Sequence, residues 1–161
     1  MNKIIIIGCP GSGKSTFAKA LHTKTALPLF HLDNIFWNKD KTHVSREVFD
    51  KRLDDVLMQD SWIIDGNYNR TLEKRLKTCD TAFLLDLPVD MCLNGANARI
   101  GKFRDDMPWI EQELDEEFKQ WIINFPKDEL PNIYFLLKKY NYKNIIVFKS
   151  HQQINDYLDK I

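Results

Sequence analysis

The 161-residue sequence carries no excess of either charge: Lys and Arg number 23, and so do Asp and Glu. Broad, non-specific nucleic-acid binding rests on a strongly basic field, so direct contact with nucleic acid is not expected, a local basic patch aside. Cysteine is scarce. Cys9, Cys79 and Cys92 sit at wide spacing, with no CxxC or Cys/His metal pattern. Reduced thiols, and with them a cytoplasmic setting, are the expectation. Long apolar runs are missing as well. Ile4–Ile7 is far too short to span a bilayer, so neither a membrane span nor a secretory leader is expected. No repeat, low-complexity tract or Pro/Gly linker divides the chain.

What remains is 43% hydrophobic and 29% charged, enough to bury a core in one domain over residues 1–161. Lys3–Ile7 predicts a strand apolar on both faces, as parallel strands are. Gly13–Thr23 predicts a helix, Leu27–Leu32 a second strand, and Ser45 a cap for a helix to about Gln59, with Val48, Leu53, Val56 and Leu57 inward. Trp62–Ile64, Thr81–Leu87 and Asn144–Phe148 predict three more strands. Helices are expected at Leu72–Lys77, Met91–Ile100, Ile110–Phe125, Pro131–Tyr140 and Gln152–Lys160. Strands alternating with helices argue for α/β architecture: a five-stranded parallel sheet between two helical layers. One composition shift stands out. Arg99, Lys102 and Arg104 precede seven acids ending at Glu117 with no base among them, which reads as a mobile, solvated excursion over about 99–117.

The first strand runs into Gly8-Cys9-Pro10-Gly11-Ser12-Gly13-Lys14-Ser15, the Walker A pattern G-x-x-x-x-G-K-[ST]. Gly8, Gly11 and Gly13 let the backbone take positive φ and approach a ligand closely. The successive N–H groups, Ser12 among them, form a nest for a polyphosphate, and the helix from Gly13 adds its positive end. Lys14 is expected to reach the β- and γ-phosphates, Ser15 to place its hydroxyl on Mg²⁺, and Thr16 to contact the α-phosphate. ATP or GTP binding follows. A metal partner is also needed, and an Asp at the end of a neighbouring buried strand is the usual holder. Asp65 and Asp86 both follow apolar runs; either also serves as a strand-end cap.

Further along, Ile63-Ile-Asp-Gly-Asn-Tyr-Asn-Arg-Thr71 resembles the adenylate kinase segment Leu-Asp-Gly-Phe-Pro-Arg-Thr. Leu84-Leu-Asp-Leu-Pro88 resembles the next strand of that family, and Arg99-Ile-Gly-Lys its lid entrance. His31-Leu-Asp-Asn-Ile-Phe-Trp37, Trp62-Ile-Ile-Asp-Gly-Asn-Tyr68 and the Trp121…Phe125-Pro126 stretch are similar to a bacterial adenylate-kinase-related subgroup called DNA topology modulation proteins. The resemblance implies a P-loop NTPase fold of nucleoside-monophosphate-kinase type with a short lid. It implies ATP and Mg²⁺ as cofactors, and Asp65 rather than Asp86 on the metal side. Arg99 would act across the transferring phosphate, assisted by Lys102 or Arg104, and Lys149-Ser150-His151 would lie beside the adenine. The family's arginine after Asp-Gly is shifted by one residue, to Arg70.

The segment of about 31–60 would then bind the acceptor. Asp33 there repels a phosphate acceptor but suits a hydroxyl, which it can orient and deprotonate. It also suits a simple turn cap. His31, Asn67, Tyr68 and Arg70 are candidate acceptor contacts, with Phe36 and Trp37 either stacking on a planar base or closing the core. The expectation is a phosphotransferase moving the γ-phosphate to a small nucleoside, nucleotide or hydroxyl-bearing metabolite, as a monomer or small homo-oligomer. The alternative is an NTP-binding regulatory protein affecting DNA topology with little turnover.

Overall fold

The computed structural model describes residues 1–161. Its elements run β1 (Lys3–Gly8), α1 (Lys14–Thr25), β2 (Leu29–His31), α2 (Leu32–Phe36), α3 (Arg46–Leu57), β3 (Trp62–Asp65) and α4 (Asn69–Thr78), then β4 (Thr81–Leu85), α5 (Val89–Ala98), α6 (Glu116–Asp128), α7 (Leu130–Lys139), β5 (Asn144–Phe148) and α8 (His151–Leu158). The five strands form one parallel sheet in the order β2-β3-β1-β4-β5.

The sheet divides the core by strand alternation. Ile5 and Ile7 point into the larger apolar cluster, with α3–α7; Ile4 and Ile6 point into the smaller one, with Phe17, Leu21 and Ile154 of α1 and α8. All four isoleucines are fully buried, at about 2 kcal/mol each relative to exposure. After β1 the chain first builds β2 and β3 on one side, then β4 and β5 on the other. The C-terminal end of β1 is therefore the point where strand order reverses, which is where open α/β sheets open a crevice for ligands.

Two local readings need correction, and a third gains detail. Ser45 does cap α3, accepting from the Val48 N–H at 3.2 Å, but Val48 is exposed and Phe49 takes the inward place. The helix expected from Ile110 starts only at Glu116, because Asp115 turns its side chain onto the Glu117 N–H at 2.8 Å and caps it there. The stretch after α5 is largely exposed, as expected of an excursion, but it is tied to itself and to the body of the fold. It folds back on itself through Gly101 N–H to Glu111 O, 2.7 Å, and Asn34 Nδ2 reaches the Asp105 carbonyl at 2.7 Å. Asp106 is buried beneath it.

Candidate active site

The loop between β1 and α1 is shaped by close backbone approach. Gly11 has φ +80°, and a Cβ there would lie 2.0 Å from the Cys92 carbonyl. Gly95 on α5 mirrors it, its Cβ falling 2.0 Å from the Gly11 carbonyl. Helix α5 is thus pressed against the loop with no room for a side chain between them. Lys14 Nζ donates to the Cys9 carbonyl at 3.0 Å, and burial pulls its pKa below the ordinary lysine value. Gly11, Gly13, Lys14, Ser15 and Thr16 open onto a cavity of about 330 Å³ with no hydrophobic residue in its wall; Lys19, Arg99 and Arg104 add positive charge. That lining suits a polyanion. His151 lines this cavity, whereas Ser150 caps α8, accepting from the Gln153 N–H at 3.2 Å.

Two carboxylates converge on one hydroxyl. Ser15 Oγ lies 2.7 Å from Asp65 Oδ2 and 3.0 Å from Asp106 Oδ2. A hydroxyl has a single proton to donate, so it cannot satisfy both. Asp65 Oδ2 is also 2.8 Å from His31 Nδ1, while its Oδ1 is buried with no partner. An orphaned buried carboxylate oxygen beside a hydroxyl and a second carboxylate is the oxygen-rich set a hard divalent cation takes. Asp86 lies apart, bound to Lys149 and Tyr134. Burial pushes the Asp106 carboxyl up, but Arg104 and the Ser15 hydroxyl outweigh it and hold the group below its ordinary value.

Arg99 and Arg104 face the same place from the lid. Glu111 sits between them, 3.1 Å from Arg99 Nε and 3.0 Å from Arg104 Nη1, and Arg104 also pairs with Asp106. Lys102 is exposed and takes no part.

On the far side of this wall lies a second cavity of about 760 Å³. It shares Lys14, Ser15, Arg99, Arg104 and Asp106 with the first. Asp33 lines it from α2. The Tyr68 hydroxyl donates to Asp33 Oδ1 at 2.7 Å; Asp33 Oδ2 makes no hydrogen bond within the protein. Burial raises the Asp33 pKa above the ordinary carboxylate value, and the nearby Asp65 charge adds to it. Phe36 and Trp37 both line the cavity and also contact other rings: Phe36 stacks on His43 at 4.8 Å, and Trp37 meets Trp109 edge-on at 5.5 Å.

The loop after β3 sets these groups. Asn67 lines the cavity, and its Oδ1 accepts from the Gly8 N–H at 3.0 Å, tying the loop to β1. Tyr68 sits in the left-handed region at φ 38°, a conformation rare for a non-glycine residue. It is held there by stacking on Phe49 at 5.2 Å and by Arg75. Arg75 is fully buried and donates to the carbonyls of Gly66 (2.9 Å), Asn67 and Tyr68 (3.2 Å). Arg70, by contrast, lines neither cavity. It is exposed and forms a two-pronged pair with Asp50 on α3, at 2.7 and 3.1 Å.

Sequence reasoning missed Asp106, Glu111, Gly95 and Arg75. Asp106 was one of seven undifferentiated acids, and Arg75, between Leu72 and Leu76, reads as an ordinary helix base.

A scan of the chain against protein-family models matches none. Among curated proteins, the adenylate kinases of Thermotoga neapolitana and Thermotoga maritima are 28% identical over 88 residues, 53% of this chain. That match spans 39% of their length, about two fifths of each relative. Among solved structures, the shikimate kinase of Acinetobacter baumannii in complex with shikimate superposes with a TM-score of 0.66 at 16% identity, covering 99% of this chain and 90% of that one. The shikimate kinase of Bacteroides thetaiotaomicron gives 0.60 at 18%, over 98% and 94%. The chain has the three-layer P-loop NTPase fold of these kinases, with a five-stranded parallel sheet.

Proposed function

We propose that the protein is an ATP- and Mg²⁺-dependent phosphotransferase that moves the γ-phosphate to a small hydroxyl-bearing acceptor. One observation carries this reading: an anion-binding cavity and an acceptor-sized cavity share a wall built from Lys14, Ser15, Arg99, Arg104 and Asp106, with a free carboxylate oxygen of Asp33 on the acceptor side. A nucleotide-binding switch has no use for the second cavity or for its base.

In this reading Gly8–Thr16 holds the donor phosphates by backbone N–H groups and the α1 N-terminus. Ser15, Asp65 and Asp106 are the residues that would hold Mg²⁺, which neutralises charge on the donor phosphates when bound. Lys14 and Arg99 face the place where negative charge is passed from donor to acceptor. Asp33 orients the acceptor hydroxyl and takes its proton as the new P–O bond forms and the bond to the nucleoside diphosphate breaks. Its raised pKa makes it a stronger base than an exposed aspartate. The lid folded over the site excludes water, the competing acceptor.

The test is ATP consumption with Mg²⁺ against nucleosides, nucleoside monophosphates and small hydroxylated metabolites, beside an acceptor-free control and supercoiled DNA. Turnover that depends on one small acceptor, and that falls at least about tenfold in Asp33→Asn with ATP binding intact, is expected. Stimulation by DNA alone, or nothing beyond slow hydrolysis, would replace this reading with that of a regulatory NTP-binding protein.

A further inference from the structure

The charge and the rings of the acceptor cavity say more about its occupant than the fold does. Arg99 and Arg104 lie in the wall shared with the P-loop cavity and are already engaged by Glu111 and Asp106. Lys14 belongs to the P-loop. Beyond that shared wall the cavity is lined by Asp33, Glu113, Asp115 and Glu129, and by no arginine at all. The one further cation is Lys41, exposed at the rim, its Nζ 6.0 Å from the Trp109 ring centroid. A phosphate or carboxylate on the acceptor would be recognised by a paired arginine fork, the geometry that fits those groups. Here it would meet like charge in a partly enclosed space, which disfavours it strongly.

The rest of the wall is aromatic: Phe36, Trp37, Tyr68, Trp109, Phe118 and Trp121. Several are already fixed by other rings. Trp37 and Trp109 stand edge-on at 5.5 Å, and Phe118 and Trp121 lie 5.7 Å apart. Ring faces bordered by carboxylates attract planar, neutral or positively charged groups, through stacking and through cation–π and direct Coulomb attraction.

We infer that the acceptor is a hydroxyl-bearing molecule with a planar, neutral or cationic ring and without phosphate or carboxylate: the chemistry of a free nucleoside, not of a nucleotide or a hydroxy acid. The inference rests on the phosphotransferase reading for its reaction but not for its binding, so the two can fail separately.

Three of the four tryptophans line this cavity, and the fourth, Trp62, is buried in the core. Binding is therefore read by quenching of tryptophan fluorescence, with Mg²⁺ and a non-hydrolysable ATP analogue present. The probes are adenosine, its N1-methylated cationic form, adenosine 5′-monophosphate and shikimate. The two nucleosides are expected to bind at least about tenfold more tightly than the monophosphate or the hydroxy acid, with the cationic ring equal to or better than the neutral one. Replacing Glu113 and Glu129 together by Gln is expected to shrink that preference at least about threefold. A monophosphate or shikimate that binds as well as the nucleosides would overturn the inference, as would no quenching by any probe at millimolar concentration. The predicted binding order without turnover would leave the acceptor chemistry standing and sink the phosphotransferase reading alone.

Discussion

Replacing Arg75 by Met is expected to harm phosphoryl transfer far more than it harms the fold. Arg75 is a fully buried cation with no carboxylate bonded to it, and burial pulls its pKa from 12.5 to about 10. That drop corresponds to about 3 kcal/mol of burial cost, which Met does not incur. Against this stand the carbonyls it serves. Tyr68 O also accepts from the Thr71 N–H at 2.9 Å and the Thr71 hydroxyl at 3.1 Å, so it is not orphaned. Gly66 O and Asn67 O lose their guanidinium donors, at about 1–3 kcal/mol each. The two sides largely offset, leaving anything from about 1 kcal/mol of stabilisation to about 3 kcal/mol of destabilisation, the latter worth up to about 10 °C in Tm. Function has no such compensation. The same three-residue loop fastens Asn67 to Gly8 and Tyr68 to Asp33, so its release disturbs donor and acceptor sides together. Misplacement on the scale of 1 Å costs about a hundredfold in transfer. Arg75→Lys should rescue little, because a single ammonium cannot fork across several carbonyls. Thermal melts and ATP consumption with the acceptor that the panel identifies read the two quantities separately. Parent-like transfer in the Met variant would refute the positioning role; a variant unfolded at 25 °C would refute the energy balance.

Other substitutions probe single links. Lys14→Ala should abolish thermal stabilisation by ATP–Mg²⁺, which in the parent reaches about 2.7 kcal/mol at a hundred times Kd; an undiminished shift would remove the P-loop assignment. In Asp33, burial raises the folded pKa above 3.8, so the folded chain holds this proton more tightly than the unfolded one. Stability therefore falls as pH rises from about 4 through the folded pKa, and the penalty is complete only above that folded pKa. Asp33→Asn should raise Tm at pH 7 while lowering transfer, and the Tm gain should vanish below about pH 4; a lower Tm at pH 7 contradicts this. Gly95→Ala should cost about 1–3 kcal/mol, because its Cβ would fall 2.0 Å from the Gly11 carbonyl. It should weaken ATP binding at least about tenfold by displacing the loop, and parent-like affinity would show that α5 yields freely.

The parts legible in the sequence are those whose causes are local. The β1 strand, the glycine loop and α1 are contiguous, so apolar run, turn residues and amphipathic helix specify one another without distant help. The strand β5 is bounded as its pattern indicates, Asn144–Phe148, because Phe148 and Val147 face opposite layers of the core. The start of α6 was misjudged for a local reason too. The spacing of Ile110, Leu114 and Phe118 continues a helical stripe backwards, but Asp115 offers the Glu117 N–H an acceptor and ends the helix there. Stripe and cap conflict, and the cap decides because residues 110–114 are held elsewhere by the lid.

What the sequence concealed depends on partners far apart along the chain. Ser15 meets Asp106 across 91 residues, and Asn67 meets Gly8 across 59. Charge is the hardest property to read in this way, since its meaning changes with its neighbour. Arg99 and Arg104, seen alone, read as phosphate ligands; beside Glu111 and Asp106 they are also the pairs that fold the lid stretch onto itself. An entering phosphate must take these arginines from their carboxylates. The exchange trades one charge-assisted pair for another, so it alters partners more than total energy. In the proposed reaction the lid would register the donor through this exchange, and the acidic surplus on the acceptor side goes with the same pairing. The two arginines that line the acceptor cavity are both in the wall it shares with the P-loop cavity and both paired, and in the proposed reaction the carboxylates beyond that wall have only the acceptor to face.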